Sequence, residues 1–202
     1  MIFPKLNKQG KPTISWSMIN LFYQDSFEWW ARYVIKKPFE ANKWTDFGSK
    51  VGEALEHNNF DSFSNLEKVV LAKVERLDKF EEKVVLDLGD FEVVGFIDSA
   101  SSDFSRIIDY KTGGKDKFHK YVEPDYLQMH IYSCAVRQMY GKAPESAEVH
   151  YITREGRDNL KVAYKSPVVI DMDITEELLD ETEKVLRLAF EDMSNYYLQK
   201  NN

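Results

Sequence analysis

Residues 91–132 read FEVVGFIDSASSDFSRIIDYKTGGKDKFHKYVEPDYLQMHIY, and the rest of the chain is organised around this stretch. The run 91–98 is mostly apolar and β-branched, 99–103 is rich in turn residues, and 104–111 is a second apolar run. Two such runs joined by a short polar turn predict an antiparallel hairpin. The periodicity after the hairpin predicts a helix, so the stretch is interpreted as two strands followed by a helix.

The charged residues of this hairpin predict its chemistry. Side chains alternate across a strand, so Asp109 and Lys111 point to one face while Tyr110 points to the other. Asp98 ends the first predicted strand and can reach the same face near the hairpin. Two carboxylates in a small volume repel each other, and a hard divalent cation such as Mg²⁺ removes that repulsion. Two oxyanions, a metal and a lysine are the groups that phosphodiester hydrolysis requires.

Three motifs in this stretch resemble a known family. GFID at 95–98, DYKTG at 109–113 and the pair Gln128 and Tyr132 resemble the RecB-type exonuclease branch of the PD-(D/E)XK nuclease superfamily. The resemblance covers most of the chain, since 15–37 resembles the opening helix and 48–56 the first motif. It implies an α/β, restriction-endonuclease-like fold, in which helices flank a small mixed central β-sheet. We expect a single domain over residues 1–202.

The resemblance also implies roles for individual residues. The catalytic residues would be Asp98, Asp109, Lys111, Gln128 and Tyr132. Asp98 and Asp109 would bind Mg²⁺ or Mn²⁺, and Tyr110 would be a further metal ligand. Lys111 would orient or activate the attacking water, and the helix pair would lie near the metal or the nucleic-acid backbone.

The first motif departs from the family pattern. The pattern is GxxxHxxxE, and aligning Gly48 and Glu56 with its ends places Gly52 where the metal-binding histidine usually lies. Three nearby residues are substitutes, and we rank Glu56 first, then His57, with Glu53 the one best explained as a solvated surface charge. A structural role stays open for each of them. The departure also leaves open a protein that keeps the fold and has lost catalysis.

Cysteine usage argues against an iron–sulfur cluster. In several relatives the opening helix contributes a cysteine followed by proline, whereas the equivalent residues here are Gln24, Asp25 and Ser26. Cys134 is the one cysteine of the chain, so neither an internal disulfide nor a four-thiolate cluster is possible from these 202 residues. No signal peptide or long apolar span is visible, so we expect no membrane association and a cytoplasmic protein.

The charge distribution restricts how nucleic acid is bound. A net charge of −7 argues against a protein that coats long duplexes through a broad basic face. Lys115, Lys117 and Lys120 form a local basic run after the second strand, which suits DNA contact and ordinary solubility about equally. The expected substrate is single-stranded DNA or duplex ends. RecB-type domains are often fused to motors, so a helicase or recombinase is a candidate partner for processive action.

Two functions follow from these observations. The first is a metal-dependent deoxyribonuclease, expected to be an exonuclease in DNA repair, recombination or phage DNA processing. The alternative is a catalytically inactive nuclease-fold module that binds nucleic acid or a protein partner. No Gly-rich phosphate loop, GxSxG elbow or paired CxxC occurs, so nucleotide hydrolysis, serine esterase chemistry and structural zinc have no support.

Periodicity and turn residues predict the remaining elements. The final helix is predicted to be capped by Thr175, and His150 is interpreted as a packed side chain rather than a ligand. The other predicted elements are an opening helix from Ser15 or Ser17, helices over 45–61 and from Ser64 with a buried stripe to Leu77, strands at 83–88, 148–153, 160–164 and 168–170, and a helix from Pro124 in its first turn to Tyr140, with Gly141 past its end.

Overall fold

The computed structural model describes residues 3–123 and 126–201. Its helices and strands together form an α/β protein, as predicted. The helices are α1 (Trp16–Gln24), α2 (Ser26–Tyr33), α3 (Lys43–Glu56), α4 (Asn65–Leu71), α5 (Gln128–Tyr140) and α6 (Glu176–Asn201), with a 3₁₀ turn at Phe118–Tyr121. The strands are β1 (Thr13–Ile14), β2 (Lys79–Asp87), β3 (Glu92–Ala100), β4 (Arg106–Gly113), β5 (Ser146–Glu155), β6 (Lys161–Val162) and β7 (Val168–Met172).

Within the described residues these strands form one mixed, seven-stranded sheet. β2, β3 and β4 are antiparallel neighbours and form a meander, and the pairing of β3 with β4 confirms the predicted hairpin. β4 and β5 are parallel, and α5 is the helical crossover that a parallel pair requires. β6 and β7 pair antiparallel with β5, and the short β1 pairs parallel with β3. The crossover therefore places α5 directly after the strand that carries Asp109 and Lys111.

The two faces of the sheet bury separate groups of side chains. Val149 and Tyr151 of β5 belong to the larger apolar core, which includes residues of α1, α2, α5 and α6. The next residue of the same strand, Ile152, belongs to a second core formed with α3 and α4. This alternation is what a sheet buried on both faces requires. Among the described helices, none combines the length and the apolar composition needed to cross a bilayer.

The opening segment is two helices rather than the single one predicted. Ser15 caps α1, and its hydroxyl accepts a hydrogen bond from the backbone N–H of Met18. α1 ends at Gln24 because Asp25 is extended and accepts a hydrogen bond from the N–H of Glu28, which makes it the N-cap of α2. The segment turns at Asp25 and places α2 beside the C-terminal helix.

The helices before the meander are shorter than the sequence predicts. α3 ends at Glu56, and α4 ends at Leu71. Ser64 and Glu67 form the predicted capping box, and Glu67 also accepts a hydrogen bond from the N–H of Val162. Val69 is 53% exposed, so the buried stripe predicted to Leu77 was wrong at this position.

Arg76 holds the segment that follows α4 against the end of α3. Its guanidinium donates hydrogen bonds to the carbonyls of Leu55 and Glu56, at 3.1 Å for the second of these. These carbonyls belong to the last turn of α3, where backbone acceptors lack helical partners. Arg76 thereby ties the segment after α4 to the end of α3.

The central hairpin has a longer first strand and a later turn than predicted. β3 continues to Ala100 and β4 begins at Arg106, so Asp98 lies inside its strand rather than at its end. The turn between them is closed by Asp103, which accepts hydrogen bonds from Ser101 and Ser105. α5 ends before Gly141, whose φ of 80° is the left-handed cap expected there. Pro124 lies outside the described residues.

Candidate active site

Asp109 and Lys111 form a buried ion pair on one side of β4. The Asp109 side chain is fully buried, and its Oδ2 atom lies 2.6 Å from Nζ of Lys111. The other oxygen accepts a hydrogen bond of 3.0 Å from the Gln128 amide, and that amide lies 2.6 Å from the Tyr132 hydroxyl. Burial alone would lower the pKa of Lys111, but the carboxylates of Asp109 and Asp98 raise it above its ordinary value. The ammonium therefore stays charged beside its carboxylate.

Asp98 is positioned by the backbone of β4. The ladder between β3 and β4 is formed at Ser99 with Ile108 and at Ala100 with Ile107. Beyond these pairs, Oδ2 of Asp98 accepts a hydrogen bond of 2.7 Å from the N–H of Tyr110. Burial raises the pKa of Asp98, and the nearby Asp109 carboxylate raises it further, to about 8. The Asp109 carboxylate thus disfavours the charged form of Asp98.

Helix α5 rests directly on β3 next to this site. A Cβ atom at Gly95 would lie 2.3 Å from the Tyr132 ring, a distance that real side chains do not adopt. Glycine at 95 therefore allows the ring to lie against the strand. Since Tyr132 and Gln128 are one helical turn apart, this contact also fixes the position of the amide that holds Asp109.

The strand next to Asp98 is irregular at Glu81. The β2–β3 ladder pairs Phe80 with Ser99 and Glu82 with Ile97, but Glu81 and Asp98 are not paired between them. Glu81 has a φ of 51°, in the left-handed region that is uncommon for a residue other than glycine. The sequence analysis missed this residue, because the polar run of β2 gives no sign of which acid adjoins Asp98.

Glu81, Asp98 and Lys111 line a pocket of about 390 Å³ between α3 and the sheet. Glu56 and Glu81 are on its wall with Asp98, and Lys111 is the cation among the described residues that line it. The pKa of Glu81 is raised by burial and by the carboxylates of Glu56 and Asp109. Oxygen donors with excess negative charge are what a hard divalent cation prefers, so these residues fit such an ion.

The structure separates the substitutes suggested for the first motif. Glu56 lines the pocket with Asp98, whereas His57 caps the end of α3 and lines a different surface pocket with Lys50. Glu53 is exposed and lines both pockets. At Gly52 an added Cβ would meet nothing within 4 Å, so the wall beside the missing imidazole is open. Of the predicted ligands, His57 is the one not brought to Asp98.

A second pocket, of about 490 Å³, lies on the other side of Lys111. Lys111 and Gln128 form one of its walls, and Trp16 of α1 and Lys120 form others. Burial lowers the pKa of Lys120, and the charges of Lys111 and Lys117 lower it further. The predicted basic run thus approaches Lys111 at Lys120, and its members Lys115 and Lys117 are exposed.

A separate ion-pair network supports the reverse side of β4. Among the described residues, Glu75, Glu148 and His150 have potential ligand atoms within 4.8 Å of one another. Arg106 already donates hydrogen bonds of 2.8 Å to both glutamates, so the group has its own cation. His150 packs edge-on against Tyr110 at 6.1 Å between ring centroids. This arrangement agrees with the interpretation of His150 as a packed side chain.

Comparisons with known proteins bear on the fold and on the family of the chain. No curated protein matches the sequence. A crystal structure named "Putative exonuclease" from Eubacterium rectale superposes with a TM-score of 0.62 at 15% identity, over 94% of this chain and 85% of that one, which shows a shared fold. The crystal structure of SSO0001 is 19% identical over 87% of this chain and 77% of its own, with a TM-score of 0.41. The family model of the PD-(D/E)XK nuclease superfamily matches residues 63–201, more than half of the sequence, and the chain therefore belongs to that superfamily.

Proposed function

We propose that the protein is a Mg²⁺- or Mn²⁺-dependent deoxyribonuclease that removes nucleotides from DNA ends. The observation that carries this proposal is the buried Asp109–Lys111 pair beside Asp98 in an acidic pocket, within a nuclease superfamily whose members use divalent metals. The name of the structural neighbour from Eubacterium rectale supports exonuclease action.

In this proposal the acidic residues bind the metal ion, and Lys111 stabilises the charge that develops on the phosphate. Asp98 and Asp109 would hold the ion, with Glu56 on the opposite wall and Tyr110 contributing its backbone. The ion would supply Lewis-acid polarisation of the scissile phosphate. Lys111, held at 2.6 Å from Asp109, would orient the attacking water and stabilise the charge that develops on the phosphate.

Two hydrogen bonds keep these groups in place before substrate arrives. The Gln128 amide donates to Asp109, and the Tyr132 hydroxyl contacts the same amide, so these two catalytic residues act by orienting the carboxylate. The N–H of Tyr110 does the same for Asp98. Preorganised donors of this kind avoid the cost of reorientation during the reaction.

The DNA strand would pass the second pocket and the basic run. Lys120 lines that pocket beside Lys111, and Lys115 and Lys117 extend the positive surface. A net charge of −7 favours DNA contacts that are restricted to this basic run. Such a small contact area suits a DNA end or a single-stranded DNA better than a long duplex. We place the activity in cytoplasmic DNA repair, recombination or phage DNA processing, with a helicase or recombinase as partner.

The experiment compares linear and circular substrates. Purified protein with MnCl₂ is given labelled single-stranded DNA, linear duplex, covalently closed circular duplex and single-stranded RNA, with and without EDTA. We expect both linear DNAs to shorten from their ends, and the circle, the RNA and the EDTA samples to stay intact. Lys111→Ala should lose about 10²- to 10³-fold in rate, and Lys83→Ala, exposed on β2, should not. Cleavage of the circle would contradict exonuclease action, and cleavage of RNA alone would contradict the choice of DNA.

The inactive binding module is the second candidate, and Gly52 favours it because the first-motif imidazole is missing. The same purified protein distinguishes the two. Retained binding of single-stranded DNA with no cleavage by the wild type, in either metal and at several pH values, would identify the module.

A further inference from the structure

We propose that Glu81 supplies the ligand that Gly52 cannot, so that carboxylates of three adjacent strands, β2, β3 and β4, hold the same ion. This inference rests on the proposed function, because it adds a ligand to the metal site of Asp98 and Asp109. It differs from the substitutes suggested by the first motif, all of which lie at the end of α3.

The pairing of β2 with β3 places Glu81 next to Asp98. The pairs Phe80–Ser99 and Glu82–Ile97 lie on either side, so Glu81 is the residue directly across from Asp98. Both side chains line the same pocket beside α3. Carboxylates on the wall of one pocket can reach a common ion.

The backbone at Glu81 departs from the strand where this approach occurs. A φ of 51° is unfavourable for a side chain with a Cβ atom, and outliers of this kind cluster at functional sites. Its neighbours Phe80 and Glu82 keep their ladder pairs, so the departure is confined to one residue. It accompanies the one gap in an otherwise continuous ladder among the described residues of β2 and β3.

The described wall of the pocket around Glu81 carries the acids Glu53, Glu56 and Asp98, with Lys111 as its cation. Burial is the main cause of its raised pKa, and Glu56 and Asp109 add to it. Glu81 lines the same pocket as Gly52, where an added Cβ would meet nothing within 4 Å. An ion in this pocket would therefore gain a third strand carboxylate without any rearrangement of the first motif.

The test measures Mn²⁺ binding by isothermal titration calorimetry on the full chain, without DNA. We expect Glu81→Gln to weaken Mn²⁺ binding by at least about 10-fold, since even outer-shell changes cost 10–100-fold. Glu82→Gln, the neighbour on the same strand, should bind like the wild type. Melting in EDTA provides the folding control, because Glu81→Gln removes one of the repelling charges and should melt at or above the wild-type temperature.

The outcomes separate this inference from the function it rests on. Unchanged Mn²⁺ affinity in Glu81→Gln, with a loss in Glu56→Gln, would overturn it and assign the ligand to α3. Losses in both variants support it and add Glu56 to the same ion. If Asp109→Asn binds Mn²⁺ as well as the wild type does, or the wild type binds none, the metal site of the proposed function fails as well.

Discussion

Asp98 makes the stability of the metal-free protein depend on pH. Burial and the Asp109 carboxylate raise its pKa from 3.8 to about 8 in the folded state. Between these values the folded state holds a proton that the unfolded state has lost, so the free energy of unfolding falls as the pH rises. In EDTA we expect the melting temperature at pH 8 to be at least about 4 °C below that at pH 5.5, as measured by scanning calorimetry.

Two controls assign this pH effect to Asp98. Asp98→Asn cannot lose a proton, so its melting temperature should change less between the two pH values. Addition of Mn²⁺ to the wild type at pH 8 should raise its melting temperature to the value at pH 5.5, because the positive charge of the ion replaces that of the lost proton. A wild-type melting temperature that rises from pH 5.5 to pH 8 in EDTA would contradict the burial of Asp98.

Glu81 stores backbone strain that glycine can release. In a regular strand glycine is less favourable than alanine, but a φ of 51° reverses this order because only alanine has a Cβ atom that clashes. We expect Glu81→Gly to be more stable than Glu81→Ala by about 1 kcal/mol in urea denaturation. The same pair at Lys83, which has regular neighbours in the ladder, should show the opposite order. Equal stability of the two Glu81 variants would show that the strain is absent.

The sequence indicated the chemical role of single residues better than it indicated which residues lie next to each other in the fold. Asp109 and Lys111 could be grouped from strand spacing and Gln128 with Tyr132 from helix spacing. The resemblance to a family was needed to bring the two pairs together. Glu81 could not be found this way. Its proximity to Asp98 depends on the register between two strands, and a short polar run such as KFEEK does not specify that register.

At the scale of elements, α3 and the segment after α4 form one unit. Arg76 joins them through the carbonyls of Leu55 and Glu56. We expect Arg76→Ala to lose about 1.5–3 kcal/mol of stability, the range for hydrogen bonds to charged groups, in urea denaturation. Lys73→Ala, at an exposed position of the same segment, is the matched control. Similar losses in both variants would contradict a specific role for Arg76.

Element prediction succeeded where local signals were strong. Gly141 and Thr175 marked helix boundaries that the structure confirms, because a left-handed cap and a hydroxyl cap act within one turn. The end of α4 was predicted wrongly, since apolar residues continue at helical spacing to Leu77. The chain leaves the helix there to reach β2, and the contact that holds it, between Arg76 and α3, spans 20 residues of sequence.

At the scale of the whole molecule, a net charge of −7 would restrict the proposed binding of DNA to a few contacts. The basic run near the site consists of Lys115, Lys117 and Lys120, whereas the chain as a whole has a net charge of −7. We expect Lys120→Ala in an Asp109→Asn background to weaken binding of single-stranded DNA and to reduce the slope of log K against log salt by about 0.7. Fluorescence anisotropy over a range of NaCl concentrations measures this slope. Lys165→Ala, exposed near β7, should leave it unchanged.

The close approach of the Tyr132 ring to Gly95 offers a way to separate substrate binding from substrate cleavage. Gly95→Ala adds one methyl group that the ring cannot accommodate, so α5 must shift and carry the Gln128 amide away from Asp109. All carboxylates and lysines remain in such a variant. We expect it to retain Mn²⁺ in calorimetry and to bind DNA while turnover falls, which would make it a reagent for trapping intact complexes.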